Sequence, residues 1–340
     1  MNRKVSDINK YSIGIVGGVG FIGFSLARHL SSIFDVKILD VREPGDKYFA
    51  FEFCDVRNYE QVKKALAHVD LVIYTAIIQI PLITENKRLA YEVNFIGTHN
   101  FCKAVSELPN VKGMILTGSW HTIGEKGLEG VINEEFGYRP DKVEDRARLY
   151  VLSNIAQETI ARAHEMSDKI YGIIRMGTVL GEGMPKKTAA NIFIENGLKG
   201  KPLTPFRHSM HRPMLYVDIN DICYAFEAYA KKILDGEVKK GNSLDHIINV
   251  YYPEPITILE LAEIVKDAIA KLTGGNIVPK IEIADQGIEP LFREDDKMRF
   301  KVDISKSLKV LEINKLTHPR KAIERIIRYC LSLSGGDHEQ

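Results

Sequence analysis

The chain has 340 residues, of which 45% are hydrophobic and 27% charged, so a single small module and wholesale disorder are both excluded. Its 46 basic and 45 acidic side chains leave a formal net charge of +1, without the positive excess typical of proteins that bind nucleic acid or anionic membranes. We therefore expect a small-molecule substrate, no nucleic-acid partner and no membrane partner.

The cysteines and the apolar runs bear on the cellular location of the protein. The four cysteines lie far apart and form no Cys-x-x-Cys pair, so we expect neither disulfides nor a zinc site, no other metal, and a reducing cytoplasmic location. The apolar stretch from Tyr11 to Leu30 is broken by five glycines and has no convincing cleavage site, which argues against a signal peptide. No run reaches the roughly 18 apolar residues of a membrane span.

Short apolar runs alternate with amphipathic stretches through the first half of the chain. The predicted strands are Ser12–Val16, Asp35–Leu39, Tyr48–Phe53, Leu71–Tyr74, Gly113–Thr117 and Ile170–Arg175. The predicted helices are Phe21–Ser31, Tyr59–Ala67, Lys87–Leu108 and Leu149–Met166. This repetition of strand and helix predicts an α/β fold, a Rossmann-type doubly wound parallel sheet with helices on both faces.

A glycine-rich turn joins the first predicted strand to the first predicted helix. Gly17, Gly20 and Gly23 have the spacing that allows a tight turn, close approach of a pyrophosphate and close helix packing. The helix N-terminus at Phe21 and Ile22 would supply N–H groups and a positive dipole. A purely structural turn is the alternative.

Asp40 ends the second predicted strand, about 20 residues after the glycines, where a carboxylate can bind an adenosine ribose. Its negative charge would repel a 2′-phosphate and so favours NAD over NADP. Arg42, two positions later, could instead pair with such a phosphate. A surface aspartate without a ligand is the alternative interpretation.

Gly- and Pro-punctuated segments follow Gly181, with predicted helices at Ile219–Leu234 and Thr257–Leu272, the second opened by a Thr257/Glu260 capping box. We predict that residues 1–176 and 212–250 form the dinucleotide-binding Rossmann domain. Residues 177–211 and 251–334 are predicted to form a smaller C-terminal α/β substrate-binding lobe, and residues 335–340 a frayed tail. The ligand is expected between the two, at the carboxyl ends of the strands.

Further segments resemble a known family in order along nearly the whole chain. They are Asp55-Val56, Tyr74-Thr75-Ala76, Asn94 to Thr98, Ser119 to Gly124, Gly200 to Thr204, Arg212 to Asp218, Ile248-Asn249-Val250 and Asp303 to Lys306. Together with the glycines they resemble the extended short-chain dehydrogenases/reductases, the NAD-dependent epimerase/dehydratase family that acts mostly on nucleotide sugars. The resemblance implies NAD as cofactor, with Asp55 and Val56 at its adenine and with Thr75, Ala76 and Asn94 also lining its site.

The resemblance also implies proton-coupled hydride transfer, in which a tyrosine and a serine handle the substrate hydroxyl. In the family a lysine four residues after the tyrosine lowers its pKa and holds the nicotinamide ribose. By motif the serine is Ser119 and the tyrosine Tyr150, but Asn154 takes the lysine position and brings no charge. The pair Tyr138 and Lys142 has the family spacing, although Pro140 argues against a helical turn there.

Two further residues bear on the substrate. His121 follows Ser119 by two positions and could share or replace the acid/base role, contact the substrate, or simply pack. Arg212 takes the family's arginine position and could clamp a diphosphate, or lie in a solvated basic loop with His208 and His211. Gly177 replaces an asparagine common in nucleotide-sugar enzymes, which fits a hydroxysteroid-dehydrogenase-like branch nearly as well.

Three functions follow from these residues. The first is an NAD-dependent epimerase/dehydratase-type oxidoreductase that acts on a nucleotide sugar. The second is a hydroxysteroid-dehydrogenase-like or other reductase, and the third is an NAD-binding protein with little catalysis. The resemblance also implies a homodimer formed through the helices predicted at 87–108 and 149–166.

Overall fold

The structure is a computed structural model that describes residues 11–164, 168–242 and 244–335, with side chains to residue 333. The end of the predicted helix at Met166 and all but the first residue of the predicted frayed tail lie outside these ranges. Within them, no helix combines the length and the apolar character needed to cross a bilayer.

A seven-stranded sheet runs through the described residues. Its strands are β1 (Ser12–Val16), β2 (Asp35–Asp40), β3 (Ala50–Phe53), β4 (Leu71–Tyr74), β5 (Gly113–Ser119), β7 (Ile170–Met176) and β11 (Ile247–Val250). The order across the sheet is β3-β2-β1-β4-β5-β7-β11, and the pairs from β3 to β5 are parallel. The order reverses direction between β1 and β4, which is where ligands bind in doubly wound sheets.

Burial on both faces explains the composition of the central strands. Ile15 pairs with Ile38 of β2 and with Ile73 of β4, and all three side chains are fully buried. Strands covered by helices on both sides are apolar throughout, because neither face meets water. The predicted fold class is therefore confirmed, as are the six predicted strands, to within two residues at their ends.

The other strands pair two by two, β8 with β10, β9 with β12 and β6 with β13. Their bounds are β6 (Gly130–Ile132), β8 (Thr178–Leu180), β9 (Pro213–Met214), β10 (Tyr216–Asp218), β12 (Ile256–Thr257) and β13 (Phe300–Val302). The helices are α1 (Phe21–Leu30), α2 (Tyr59–Ala65), α3 (Leu82–Glu85), α4 (Lys87–Tyr91), α5 (Thr98–Glu107), α6 (Arg148–His164), α7 (Ala189–Leu198), α8 (Ile219–Leu234), α9 (Ile258–Leu272), α10 (Ser305–Leu311) and α11 (Pro319–Gly335).

The helix predicted over Lys87–Leu108 is not continuous. It consists of α4, a π-helical segment Glu92–Gly97 and α5. Within the π-helical segment the Asn94 side chain bonds the backbone of Ile78, and Gly97 passes so close to Val56 that an added Cβ would lie 2.5 Å from a Val56 methyl carbon. Such segments often mark functional sites, and tertiary contacts of this kind leave no trace in apolar periodicity.

The chain forms two compact units. The first contains the described parts of Met1–Thr117, Ala156–Ile173 and Phe226–His246, and the second those of Gly118–Ile155, Ile174–Ala225 and Ile247–Gln340. In the second unit α9 packs against α7 and α11, and the predicted capping box is present, with Thr257 Oγ1 accepting from the Glu260 N–H at 3.1 Å. The domain boundaries inferred from the sequence stay a prediction.

Candidate functional site

The glycine-rich turn of the first unit is built so tightly that three positions exclude a side chain. Gly17 has φ +73°, and an added Cβ would lie 2.9 Å from Thr75 Oγ1. A Cβ on Gly23 would lie 2.4 Å from the Gly17 carbonyl oxygen, and one on Gly18 would lie 2.8 Å from an Ile38 methyl carbon. The turn therefore needs glycine for conformation at Gly17 and for close packing at Gly23.

The N-terminus of α1 is free of a side-chain cap. Gly20 occupies the N-cap and offers no side-chain acceptor, so the first-turn N–H groups, including those of Phe21 and Ile22, depend on other acceptors. A ten-residue helix with such an end favours an anionic group there through its N–H donors and its dipole. A pyrophosphate matches both features.

Asp40 ends β2 and faces this turn. Its Oδ2 accepts a hydrogen bond from the Val19 N–H at 3.1 Å, and its Oδ1 accepts one from the Arg42 N–H at 3.1 Å. The carboxylate is buried, whereas the Arg42 side chain is 66% exposed and reaches Oδ1 at 3.6 Å. A fixed carboxylate beside a glycine-rich turn suits a ribose diol, so the residues of this region fit a dinucleotide.

Thr75 and Asn94 hold the loop that follows β4. Thr75 Oγ1 donates to the Val16 carbonyl oxygen at 2.7 Å, which ties the ends of β1 and β4 together. Asn94 is fully buried; its Oδ1 accepts from the Ile78 N–H at 2.6 Å and its Nδ2 donates to the Ile78 carbonyl oxygen at 3.2 Å. Ala76 offers its carbonyl oxygen to Gln157 Nε2 at 3.1 Å. These residues shape the loop from which a cofactor contact would come.

Asp55 and Val56 follow β3. Arg57 donates to the Asp55 carboxylate, with Nη2 at 2.6 Å, and this hydrogen bond lowers the pKa of Asp55. Val56 is buried. The predicted adenine contact by this pair stays a prediction.

The predicted catalytic residues lie together in the second unit. Ser119 is the last residue of β5 and is buried, and Tyr150 and Asn154 lie one turn apart on α6. The Asn154 side chain is also buried and donates Nδ2 to the carbonyl oxygen of Tyr150 at 2.8 Å. The helix α6 thus presents the tyrosine and the residue at the lysine position on one face.

Burial acts against ionisation of Tyr150. It raises the pKa of the phenol, and hydrogen bonding to Ser119 and Asn154 offsets only part of that rise. Among the described residues, no positive charge contributes to this shift. Tyr150 therefore lacks the activation that the family's lysine supplies.

His121 lies in a 3₁₀ turn, Trp120–Ile123, and its ring faces Ser119. Nδ1 lies 3.2 Å from Ser119 Oγ, and the ring centroid lies 6.2 Å from that of Tyr150. Nε2 lies 3.1 Å from Oε1 of Glu125. The structure brings Ser119, Tyr150 and His121 together.

Glu125 and Glu144 form a buried acidic pair around Arg212. Arg212 Nη1 donates to Glu144 Oε1 at 2.7 Å and lies 3.7 Å from Glu125 Oε2. Burial opposes ionisation of Glu125, but hydrogen bonding to His121 and the charge of Arg212 outweigh it and lower the pKa to about 2. The Arg212 side chain is only 11% exposed, so its charge is already matched within the protein.

The alternative pair, Tyr138 and Lys142, does not lie on a helical face. Tyr138 precedes a three-residue 3₁₀ turn, Pro140–Lys142, and its ring lies beneath the Arg175 guanidinium at 5.3 Å. The α-helix begins only at Arg148. The geometry favours the register that contains Tyr150 and Asn154.

Sequence reasoning missed Glu125, Glu144 and Gln157. Each is a common polar residue outside the family segments. Each becomes part of the site through contacts with residues far away in sequence, such as that of Glu144 with Arg212. The signal available was weak, since only the four-residue spacing of His121 and Glu125 points to a contact.

The strand order, the glycine-rich turn and Asp40 define a Rossmann-type dinucleotide-binding protein. The chain belongs to the NAD dependent epimerase/dehydratase family, whose sequence profile matches residues 13–244, and NAD is its cofactor. The predicted family, fold class and cofactor are thereby confirmed.

Several known proteins are similar to this chain. Sterol-4-alpha-carboxylate 3-dehydrogenase, decarboxylating, from Bos taurus is 28% identical over 198 residues, which are 55% of this chain and 51% of the relative. UDP-glucose 4-epimerase from Rickettsia canadensis is 26% identical over 233 residues, covering 63% and 62%. The structure of UDP-glucuronic acid 4-epimerase from Bacillus cereus with UDP-glucuronic acid and NAD matches with a TM-score of 0.74 at 20% identity, over 95% of this chain and 99% of that one. The chain spans between 30% and 62% of the length of the curated relatives that it matches.

Proposed function

We propose that this protein is an NAD-dependent oxidoreductase that moves a hydride from or to a hydroxyl-bearing carbon of a nucleotide sugar, as in an epimerase or dehydratase. The observation that carries this proposal is the grouping of Ser119, Tyr150 and His121 in one unit, with Nδ1 of His121 3.2 Å from Ser119 Oγ. A hydroxyl pair with a nearby base is what removal of a substrate hydroxyl proton requires.

The proposed cofactor contacts lie in the first unit. The N–H groups at the start of α1, presented by Gly17, Gly20 and Gly23, would bind the pyrophosphate, and Asp40 would accept hydrogen bonds from the adenosine ribose. When bound, NAD supplies the hydride acceptor. Tyr150 would then exchange a proton with the substrate oxygen, while the Ser119 hydroxyl hydrogen-bonds the Tyr150 oxygen.

A nucleotide sugar is supported by two observations. The matched relatives include a UDP-glucose 4-epimerase and a UDP-glucuronic acid 4-epimerase. In addition, the Phe206 ring is 42% exposed and stacks on His208, with an interplanar angle of 11°. An exposed aromatic face of this kind can stack on a nucleobase.

A substrate without a diphosphate is the second candidate, and the pairing of Arg212 favours it. Glu144 and Glu125 already balance the guanidinium charge, so a diphosphate would have to displace a buried carboxylate. Sterol dehydrogenases are among the matched relatives, and their named substrate carries no diphosphate. The function would then be a hydroxysteroid-type reductase.

Turnover measurements separate these functions. The protein loaded with NAD is offered UDP-sugars and, separately, 3-hydroxysteroids, and reduced nicotinamide and product are followed. We expect turnover on a UDP-sugar and a loss of about 10²-fold or more in kcat for Tyr150→Phe, because the proton-transfer group is removed. Turnover on steroids alone supports the second candidate, and tight NAD binding without turnover supports an NAD-binding protein with little catalysis.

A matched control is Tyr138→Phe, which removes the hydroxyl of the tyrosine in the alternative register. Full turnover in Tyr150→Phe together with loss in Tyr138→Phe would contradict the assignment of Tyr150.

A further inference from the structure

Glu125 is a buried carboxylate that points at one nitrogen of His121. Its side chain is 2% exposed, Oε1 lies 3.1 Å from His121 Nε2, and Oε2 lies 3.7 Å from Arg212 Nη1. A carboxylate is retained in such a position only when charged or hydrogen-bonding partners compensate its desolvation. His121 and Arg212 are those partners.

The two ring nitrogens of His121 therefore have different tasks. An ionised carboxylate can only accept, so the nitrogen that faces Glu125, Nε2, carries the hydrogen in the neutral ring. Nδ1 is left with its lone pair, 3.2 Å from the Ser119 hydroxyl, which can donate to it. Glu125 thus fixes the tautomer in which His121 accepts a proton from Ser119.

We propose that Glu125 is a positioning residue that holds His121 as the terminal proton acceptor for Ser119 and Tyr150, in the role left open by Asn154. This inference rests on the proposed function and names the proton route within it. The four residues lie in one unit, and the His121 and Tyr150 rings are 6.2 Å apart.

The proposed route carries one proton from the substrate to His121 and one hydride from the substrate to NAD⁺. The substrate hydroxyl proton moves to the Tyr150 oxygen as the Tyr150 proton moves to Ser119 Oγ, and the Ser119 proton moves to His121 Nδ1. The substrate C–H bond breaks and its electron pair leaves as hydride to NAD⁺, so the carbon is oxidised to a carbonyl and the cofactor is reduced. Tyr150 and Ser119 end as they began, and the proton resides on the imidazolium.

The side chains around His121 include one that contacts it directly and carries a charge. Glu125 faces the ring directly, Tyr150 approaches it as an uncharged phenol, and the Trp120 ring lies 4.4 Å away. Beyond Glu125 lie Arg212, Glu144 and Arg146, which is paired with Glu144 at 2.6 Å. With neutral His121 the two carboxylates balance the two guanidinium groups, and a proton accepted at Nδ1 would lie on a ring whose other nitrogen faces Glu125.

The tautomer is tested by nitrogen NMR on the full-length, NAD-loaded protein labelled at histidine, with the His121 signals assigned by their loss in His121→Asn. We expect the neutral ring to carry its hydrogen on Nε2 in the unmodified protein and in the control Glu144→Gln. Glu144→Gln removes a carboxylate from the same Arg212 but leaves the His121 contact. In Glu125→Gln we expect a mixture of tautomers, and an unchanged Nε2–H form there would overturn the proposal.

Turnover tests the route itself. We expect Glu125→Gln to lower kcat by about 10²-fold with KM changed by less than about threefold, and to add no further loss in the His121→Asn background. Adding Asn154→Lys to Glu125→Gln should raise kcat by about tenfold or more over that of Glu125→Gln alone, because the lysine supplies a positive charge next to Tyr150. Equal losses in Glu125→Gln and Glu144→Gln without rescue by lysine would overturn the route and indicate a structural role.

The NMR measurement and the turnover measurement can fail independently of each other. Absence of turnover on every substrate would contradict the proposed function, while the tautomer measurement would still decide whether Glu125 positions His121. Where Glu125→Gln does not fold, Glu125→Asp keeps the charge but shortens the side chain, and the Nε2–H preference should weaken; an unweakened preference in a folded Glu125→Asp counts against the contact.

Discussion

Asn154 stands at the position of the family's lysine and leaves Tyr150 without a positive charge that would lower the pKa of its phenol. An ordinary tyrosine has a pKa near 10, and lowering it to about 7 requires roughly 4 kcal/mol of preference for the phenolate. Burial raises the pKa of Tyr150 instead, and Asn154 brings no charge to oppose it. Because the Tyr150 phenolate is unfavourable, a proton route that ends on His121 and needs no long-lived phenolate fits this site.

Glu125 should make the protein sensitive to acid. Its pKa falls from the ordinary value of 4.5 to about 2 on folding, so ionised Glu125 stabilises the fold above about pH 4.5 and this contribution is lost as the pH falls toward 2. The shift corresponds to about 3 kcal/mol. We expect the free energy of unfolding to fall more between about pH 6 and pH 3 in the unmodified protein than in Glu125→Gln.

Urea unfolding at both pH values measures this difference, and Glu129→Gln, at a side chain that is 71% exposed, serves as the control. An identical loss of stability in all three proteins would show that Glu125 is not held ionised by folding.

Asp40 should set the choice between NAD and NADP. The unmodified protein is expected to bind NAD more tightly, because a 2′-phosphate would approach a buried carboxylate already held by the Val19 and Arg42 N–H groups. Calorimetry on Asp40→Ala should show a smaller difference between the affinities for NAD and NADP than in the unmodified protein. A clear preference of the unmodified protein for NADP would refute the assignment and point to Arg42.

At the level of elements, the junction between β1 and α1 depends on how closely the helix approaches the turn. Gly23→Ala would place a methyl group 2.4 Å from the Gly17 carbonyl oxygen, so α1 must shift. We expect a loss of about 1–3 kcal/mol in the free energy of unfolding, and weaker NAD binding because the N–H groups move.

Gly45→Ala is the matched control, since an added Cβ there meets nothing within 4 Å. Thermal unfolding and calorimetry of the two variants test the expectation, and equal behaviour of Gly23→Ala and Gly45→Ala would contradict it.

At the level of the whole molecule, the homodimer stays a prediction with a defined surface. Leu149 and Leu152 on α6 are 37% and 42% exposed. Phe101 on α5 is fully buried and cannot contribute to such a contact. We expect a dimer in sedimentation velocity at micromolar concentration and a monomer for Leu152→Glu, because burying an unpaired charge in an interface is unfavourable.

Leu333→Glu, at an exposed leucine on α11, should leave the dimer intact. A monomeric unmodified protein would remove the prediction.

The sequence by itself determined six of the seven strands of the sheet and the glycine-rich turn that follows the first of them. Buried parallel strands must be apolar, and a tight turn between strand and helix needs glycines at fixed positions. Both features can therefore be recognised in short stretches of sequence, as in Ser12–Val16 and Gly17 to Gly23. Only the tertiary structure decided that Lys87–Leu108 is interrupted, that Arg212 is paired with Glu144, and that Glu125 faces His121. The interrupted helix and the Arg212–Glu144 pair depend on contacts between residues distant in the chain, and the Glu125–His121 contact depends on a 3₁₀ turn. Local propensity and apolar periodicity predict neither kind of feature.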